Sequence, residues 1–110
     1  MNWHIAAKIT DIPDGEALAV LVEGQEIALY NLDGTVYATG DICTHARASL
    51  ADGFVHGDCV ECPLHEGVFH IPTGEPRSGP VSKPIPVYPV KLEADTVLVE
   101  ISAPCAPAKS

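Results

Sequence analysis

The sequence predicts an all-β fold, an antiparallel β-sandwich or barrel, and two observations lead to that prediction. Short runs of alternating or β-branched residues recur along the chain and are separated by turn-forming residues. Ten prolines and nine glycines are spread through the 110 residues, so few stretches are free of them for long enough to form a long helix. The length is that of one domain with a modest core.

The N-terminal part of the chain predicts four strands, over residues 3–9, 17–22, 25–29 and 35–39. Glu23-Gly24 separates the second strand from the third, and Asp33-Gly34 separates the third from the fourth. Such dipeptides are typical of tight hairpin turns. We therefore expect the second, third and fourth strands to pair consecutively, with residues 35–39 returning along residues 27–31.

The C-terminal part predicts further short strands, over residues 54–55, 59–61, 68–71, 85–93 and 96–101. His56-Gly57-Asp58 and Ala94-Asp95 are the turns of two hairpins in this part. In the last strand the alternation predicts that Val97, Val99 and Ile101 share one face. Prolines within 85–93 confine that strand largely to an edge or to its start. Residues 103–110 lack apolar periodicity and are expected to form a flexible tail.

Composition excludes several classes of function. Fifteen acidic against six basic residues give a net charge of −9, which disfavours nucleic acid and anionic membranes and favours basic partners. The longest apolar run, residues 17–22, is far shorter than a membrane span. The start, Met1-Asn2-Trp3-His4, lacks the basic flank and apolar core of a secretory signal. We therefore expect a cytoplasmic protein that binds neither nucleic acid nor membrane.

Four cysteines in a chain of this kind indicate metal or thiol chemistry rather than a disulfide framework. Two of them lie in short segments that also carry a histidine, Cys43-Thr44-His45 and Cys62-Pro63-Leu64-His65. Sixteen residues separate His45 from Cys62, so the pattern is C-x-H-x16-C-x2-H. The other two, Cys59 and Cys105, are expected to be a small apolar strand residue and a free thiol in the tail.

The mixed composition of each segment bears on the kind of metal site. A structural zinc site usually takes its ligands as like pairs, with two cysteines from one segment and two histidines from another. Only Thr44 lies between Cys43 and His45, so these two side chains reach two metal atoms of one cluster more easily than a single ion. Two thiolates on one iron and two imidazoles on the other form the ligand set of a Rieske [2Fe–2S] centre. That interpretation is favoured, and a zinc-stabilised binding module is the alternative.

Residues 40–45 and 61–69 resemble the two cluster-binding loops of the Rieske ferredoxins that serve bacterial aromatic ring-hydroxylating dioxygenase systems. The resemblance extends over nearly the whole chain. It implies a single domain over residues 1–102, in which about residues 40–80 form a small cluster-binding subdomain of two loops. It also implies one [2Fe–2S] cluster, with the buried iron bound by Cys43 and Cys62 and the outer iron bound by His45 and His65.

The same resemblance implies roles for residues around the ligands. Gly67 would let backbone N–H groups approach the cluster sulfurs, Phe69 would pack beneath the cluster, and a loop at Gly79-Pro80 would cover one side. High-potential Rieske proteins carry an extra cysteine in each loop, and this chain has none there. Fewer hydrogen bonds to cluster sulfur stabilise the reduced state less. We therefore expect a midpoint potential toward the low end of the roughly −150 to +300 mV range of Rieske centres.

The function that the resemblance implies is electron transfer rather than catalysis. The chain would take single electrons from a flavin-dependent NAD(P)H ferredoxin reductase and pass them to a terminal Rieske non-haem iron oxygenase. It contains no site of its own for oxygen or for an aromatic substrate, and we expect a monomer. The alternative is a small Rieske subunit of a larger oxidoreductase such as nitrite reductase.

Overall fold

The computed structural model describes residues 3–42, 49–63, 67–78 and 84–101. Within these ranges the chain forms eleven β-strands and two short 3₁₀ helices, Ile9–Asp11 and Leu50–Asp52. The strands are β1 (Trp3–Lys8), β2 (Ala17–Val22), β3 (Gln25–Leu32), β4 (Thr35–Gly40), β5 (Phe54–His56), β6 (Cys59–Glu61), β7 (Val68–His70), β8 (Pro76–Ser78), β9 (Val87–Tyr88), β10 (Val90–Glu93) and β11 (Thr96–Glu100). The predicted tail at 103–110 lies outside the described residues.

The strands form three antiparallel sheets, which confirms the predicted all-β class. The first has the order β1-β11-β10, the second β2-β3-β4-β9 and the third β5-β6-β7-β8. In the described part of the chain each helix has only three residues, so none there is long enough to cross a membrane.

The predicted hairpin chain from β2 to β4 is confirmed residue by residue. Val22 pairs with Gln25 across the first turn, and Leu32 pairs with Thr35 across the second. Both turns place two residues at positive φ, with values of 50° and 79° at Glu23-Gly24. This backbone matches the right-handed twist of the flanking strands, and glycine at the second position adopts it without steric cost.

Strand β3 separates two hydrophobic cores because it is buried on both faces. Ile27 and Leu29 point into a core between the first and second sheets, where Val97 and Val99 of β11 are also fully buried. On the opposite face of β3, Ala28 and Tyr30 belong to a second core, the cluster-side core, together with residues of the third sheet and of the connecting chain: Leu50, Val60, Cys62, Phe69, Ile71 and Ile85. This second core contains Cys62, one of the predicted ligands.

Two details of the third and second sheets differ from the sequence-based expectation. Strand β8 was not predicted, and it pairs with β7 from an edge position where the missing N–H of Pro76 is tolerated. The single strand expected over residues 85–93 is instead two strands, β9 and β10, in different sheets. Pro89 lies between them and cannot donate a ladder hydrogen bond, so the chain changes sheets there.

Candidate metal centre

The structure describes one of the four predicted ligands directly. Cys62 follows β6 and is 1% exposed, within the cluster-side core beside Val60 and Phe69. Cys43 and His45 belong to residues 43–48, and His65 belongs to residues 64–66; both stretches lie outside the described residues. The described chain on either side of each stretch shows where the segments begin and end.

The residues just before and just after the first predicted ligand segment lie next to each other. Ile42 and Ser49, which flank residues 43–48, form an isolated antiparallel bridge. Asp41 reinforces this closure because its carbonyl accepts a hydrogen bond from the N–H of Leu50 at 2.6 Å. Its carboxylate accepts two more, from the Ser49 hydroxyl at 2.7 Å and from the Ala51 N–H at 3.0 Å.

The second ligand segment is closed in a similar way. The N–H of Cys62 donates to the carbonyl of Gly67 at 2.7 Å, directly beyond the pairing of Glu61 with Val68. The role implied for Gly67 toward cluster sulfurs stays a prediction, whereas its carbonyl has a defined role in closing this loop. Phe69, predicted to pack beneath the cluster, is fully buried in the same core as Cys62.

The described chain after the first predicted ligand segment packs on the described chain before the second. A Cβ atom on Gly53 would collide with the backbone carbonyl of Glu61, so the two backbones approach more closely than any other residue at 53 would allow. Leu50, just after the first loop, is fully buried in the core that holds Cys62. The fold therefore brings together the described chain that follows the first predicted ligand segment and the described chain that leads to Cys62.

A third segment borders this region. Residues 79–83, including the predicted covering loop at Gly79-Pro80, lie outside the described residues, but their flanks are fixed. Ser78 pairs with Val68 beside the second loop, and Ile85 is fully buried in the cluster-side core. The N–H of Ile85 donates to the carbonyl of Gly74 at 2.9 Å.

The core that holds Cys62 is made of apolar and aromatic side chains. Tyr30 is fully buried there, and its only described polar contact is a hydrogen bond of 2.9 Å with the Thr39 hydroxyl. Burial raises the pKa of Tyr30 far above its usual range, so it stays neutral. A thiolate in such surroundings needs a positive partner, and ferric iron is one. The setting of Cys62 therefore fits the buried iron of a Rieske cluster.

The other described cysteine and histidines lie away from this centre. Cys59 and Cys62 are not joined to each other, so the C-x-x-C sequence forms no disulfide. Across the described ranges, no three cysteine, histidine or acidic side chains are arranged to hold a metal ion. Each remaining histidine lies beside a carboxylate: His4 by Glu23 at 3.5 Å, His56 by Glu61 at 3.3 Å, and His70 by Asp58 at 2.9 Å.

The best developed of these pairs was not expected from the sequence. His70 contacts Asp58 through Nε2 at 2.9 Å and the Thr73 hydroxyl through Nδ1 at 2.8 Å. The hydrogen bond from His70 lowers the pKa of Asp58 below its usual value. The group joins the β5–β6 turn to the chain after β7, at the end of these strands opposite Cys62. It therefore braces the third sheet rather than the metal centre.

Comparison with known proteins supports this description of the centre. A sequence profile of the family described as the Rieske [2Fe-2S] domain matches residues 2–89. The ferredoxin component of the naphthalene 1,2-dioxygenase system of Pseudomonas aeruginosa is 45% identical over 101 residues, which are 92% of this chain and 97% of that protein.

Solved structures give the same result. The Sphingomonas yanoikuyae B1 ferredoxin matches with a TM-score of 0.86 and 39% identity, covering 91% of this chain and 99% of that chain. A chain from a complex of reduced oxygenase and oxidised ferredoxin in carbazole 1,9a-dioxygenase matches with a TM-score of 0.84 and 36% identity, covering 89% and 92%. A protein described as the small subunit of an NADPH nitrite reductase matches with a TM-score of 0.77 at 21% identity, covering 92% and 100%, which indicates a shared fold alone.

Proposed function

The chain belongs to the Rieske [2Fe-2S] domain family, and we propose that it is the ferredoxin component of an aromatic ring-hydroxylating dioxygenase system. The observation that carries the proposal is the 45% identity to a naphthalene dioxygenase ferredoxin along 97% of that protein's length. A protein of this kind is an electron carrier and not itself a catalyst. When bound, its one [2Fe–2S] cluster supplies reversible one-electron chemistry.

Within this proposal, Cys43 and Cys62 hold the buried iron, and His45 and His65 hold the outer iron. The burial of Cys62 and the closed bases of both ligand loops support the assignment. The residues around the site exclude water from one side of the cluster, because Leu50, Phe69 and Ile85 are fully buried beneath it. Electrons would then enter and leave on the histidine side.

We also propose one domain over residues 1–102, with the cluster-binding subdomain at about residues 40–80 and a flexible tail at residues 103–110. The approach of Gly53 to Glu61 supports the subdomain, because it joins the two loop-bearing stretches directly. The chain would act as a monomer. Elution of the purified protein at its own mass of 11.6 kDa in gel filtration would agree with this, and a stable complex with a larger subunit would favour the alternative of a small oxidoreductase subunit.

The proposed partners are a flavin-dependent NAD(P)H ferredoxin reductase and a terminal oxygenase. The comparison structure of an oxygenase with a ferredoxin supports the second partner. A net charge of −9 favours docking on basic surfaces of both. A cytoplasmic location, where NAD(P)H is available to the reductase, is part of the same proposal.

Reconstitution tests the proposed role directly. The purified holoprotein would be mixed with NADH and with the reductase and terminal oxygenase of a naphthalene dioxygenase system, and product formation from the aromatic substrate would be followed. We expect turnover that depends on this chain, with the mixture lacking it as the control. A cluster that the reductase reduces but no terminal oxygenase of a panel reoxidises would contradict the proposal.

A further inference from the structure

We propose that Asp41 is a positioning residue for the cluster, because its carboxylate fastens the two ends of the first ligand loop and its charge lowers the midpoint potential. The inference rests on the proposed function, since it requires Cys43 and His45 to be ligands. It adds a role for a residue that binds no iron.

Asp41 uses every hydrogen-bonding group it has in this region. It is 5% exposed, and each carboxylate oxygen accepts one hydrogen bond, Oδ2 from the Ser49 hydroxyl and Oδ1 from the Ala51 N–H. Its carbonyl accepts from Leu50, and its N–H donates to the carbonyl of Glu26 at 3.0 Å. Asp41 therefore ties the end of β4 both to β3 and to the chain that follows the loop.

The carboxylate also replaces a missing helix cap. The 3₁₀ helix Leu50–Asp52 has Ser49 at its N-cap position, but the Ser49 side chain makes no capping hydrogen bond. Ser49 donates to Asp41 instead, and Asp41 takes the Ala51 N–H that the start of the helix would leave unpaired. A residue before the loop thus caps a helix after it. Asp41 and Ser49, on the two sides of residues 43–48, cannot separate without breaking these hydrogen bonds.

The charge of Asp41 acts on the same cluster over a short distance. Two residues of extended chain span at most about 7 Å, so Asp41 and Cys43 lie within that Cα separation. Because the carboxylate is nearly buried, solvent and salt screen it weakly. A negative charge at such a range disfavours the addition of an electron. The presence of Asp41 therefore lowers the midpoint potential.

Three substitutions separate these two effects. In Asp41→Asn the amide oxygen can still accept from Ala51 and the amide nitrogen can donate to the Ser49 hydroxyl, so the fastening stays and the charge is lost. Ser49→Ala keeps the charge and removes one bond. Asp41→Ala removes the charge and both hydrogen bonds of the carboxylate. The matched control for charge is Asp52→Asn, which neutralises an exposed carboxylate in the 3₁₀ helix that Asp41 caps.

The experiment measures two quantities on the holoproteins: the rate at which the visible absorption of the cluster decays with a chelator present, and the midpoint potential. We expect Asp41→Ala to lose its cluster on the order of tenfold faster than the parent, with Ser49→Ala intermediate and Asp41→Asn close to the parent. We expect Asp41→Asn to raise the potential, Ser49→Ala to leave it unchanged, and Asp52→Asn to change it less.

Several outcomes would overturn the inference. If the cluster decayed at the same rate in Ser49→Ala and in the parent, the hydrogen bonds of Asp41 would not stabilise the cluster. This result would count even if Asp41→Ala failed to fold. An unchanged potential in Asp41→Asn, or an equal rise in Asp52→Asn, would remove the electrostatic part. The parent itself keeps this separate from the proposed function. If its electron paramagnetic resonance spectrum lacked nitrogen-ligated [2Fe–2S] features, the ligand assignment would be at fault rather than the role of Asp41.

Discussion

The backbone N–H of Cys62 donates to the carbonyl of Gly67 at 2.7 Å, so this proposed ligand is held where the chain leaves and rejoins the third sheet. The residues between them, 63–66, include the second proposed ligand of this segment. The third sheet thereby fixes the backbone of Cys62, because Glu61 beside it pairs with Val68.

The midpoint potential is the first property to measure. We expect a value toward the low end of the roughly −150 to +300 mV range of Rieske centres, because neither loop supplies the extra cysteine of high-potential proteins. A redox titration followed by visible absorption gives the value. A midpoint well above zero would contradict the reasoning.

Exchanging an imidazole for a thiolate should lower the potential further. His65→Cys adds one negative charge to the cluster, and one unit charge at about 4 Å with an effective dielectric near 20 is worth roughly 4 kcal/mol, on the order of 170 mV for one electron. Redox titration of the variant, with His70→Cys as a control outside the centre, checks this. The same potential in His65→Cys and the parent, with the cluster retained, would exclude His65 as a ligand.

The Asp58–His70 pair predicts a pH-dependent difference in stability. The hydrogen bond from His70 lowers the pKa of Asp58 below its ordinary value of 3.8, so ionised Asp58 stabilises the fold above that value. The contribution is lost as the pH falls through the lowered pKa. Urea unfolding should therefore show Asp58→Asn less stable than the parent at about pH 7, with the difference shrinking toward about pH 3.

A double-mutant cycle is the control for that measurement. In a His70→Ala background the pair is already absent, so Asp58→Asn should produce no comparable pH-dependent difference. A difference of the same size in both backgrounds would assign the effect to another partner of Asp58.

The two phenylalanines of the chain form a matched pair for testing the cluster-side core. Phe69 is fully buried beside Cys62, whereas Phe54 is 58% exposed. Phe69→Ala should lower the free energy of unfolding by about 3–5 kcal/mol and accelerate cluster loss. Phe54→Ala should change it by about 0.5 kcal/mol or less. Urea unfolding of both variants decides this, and similar losses would show that the core is not where the structure has it.

The contact between the two loop-bearing stretches gives a further prediction. Gly53→Ala would place a Cβ against the Glu61 carbonyl, so one of the two backbones must shift. We expect a destabilisation of about 1–3 kcal/mol together with faster cluster loss. Thermal unfolding and cluster decay measure both. A variant with the stability and cluster lifetime of the parent would show that the two stretches move independently.

Much of this fold follows from local patterns in the sequence. The hairpins at Glu23-Gly24 and Asp33-Gly34 were predictable because the turn residues and the flanking alternation agree. Strand β8 was not, since Pro76 disfavours a strand and only an edge position beside β7 accepts it. The break at Pro89 was also missed, because the apolar pattern continues across it while the hydrogen-bond ladder cannot.

Some features of the proposed site could likewise be predicted from the sequence and others could not. The sequence predicts the ligand types and their spacing, because a mixed Cys-x-His segment fits the ligand set of a Rieske cluster. The role proposed for Asp41 could not be predicted from the sequence, although Asp41 lies two residues before Cys43. Its contacts depend on Ser49 and Ala51 arriving beside it after the intervening loop, which only the folded backbone determines. No spacing rule links these three positions.

The two faces of β3 have a consequence for maturation of the protein. Among the described residues, the core formed by Ile27 and Leu29 with β11 contains no cysteine or histidine. Tyr30, on the other face, belongs to the core around Cys62. We therefore expect the core on the Ile27 face of β3 to stay packed in a chain that has not yet received its iron and sulfide.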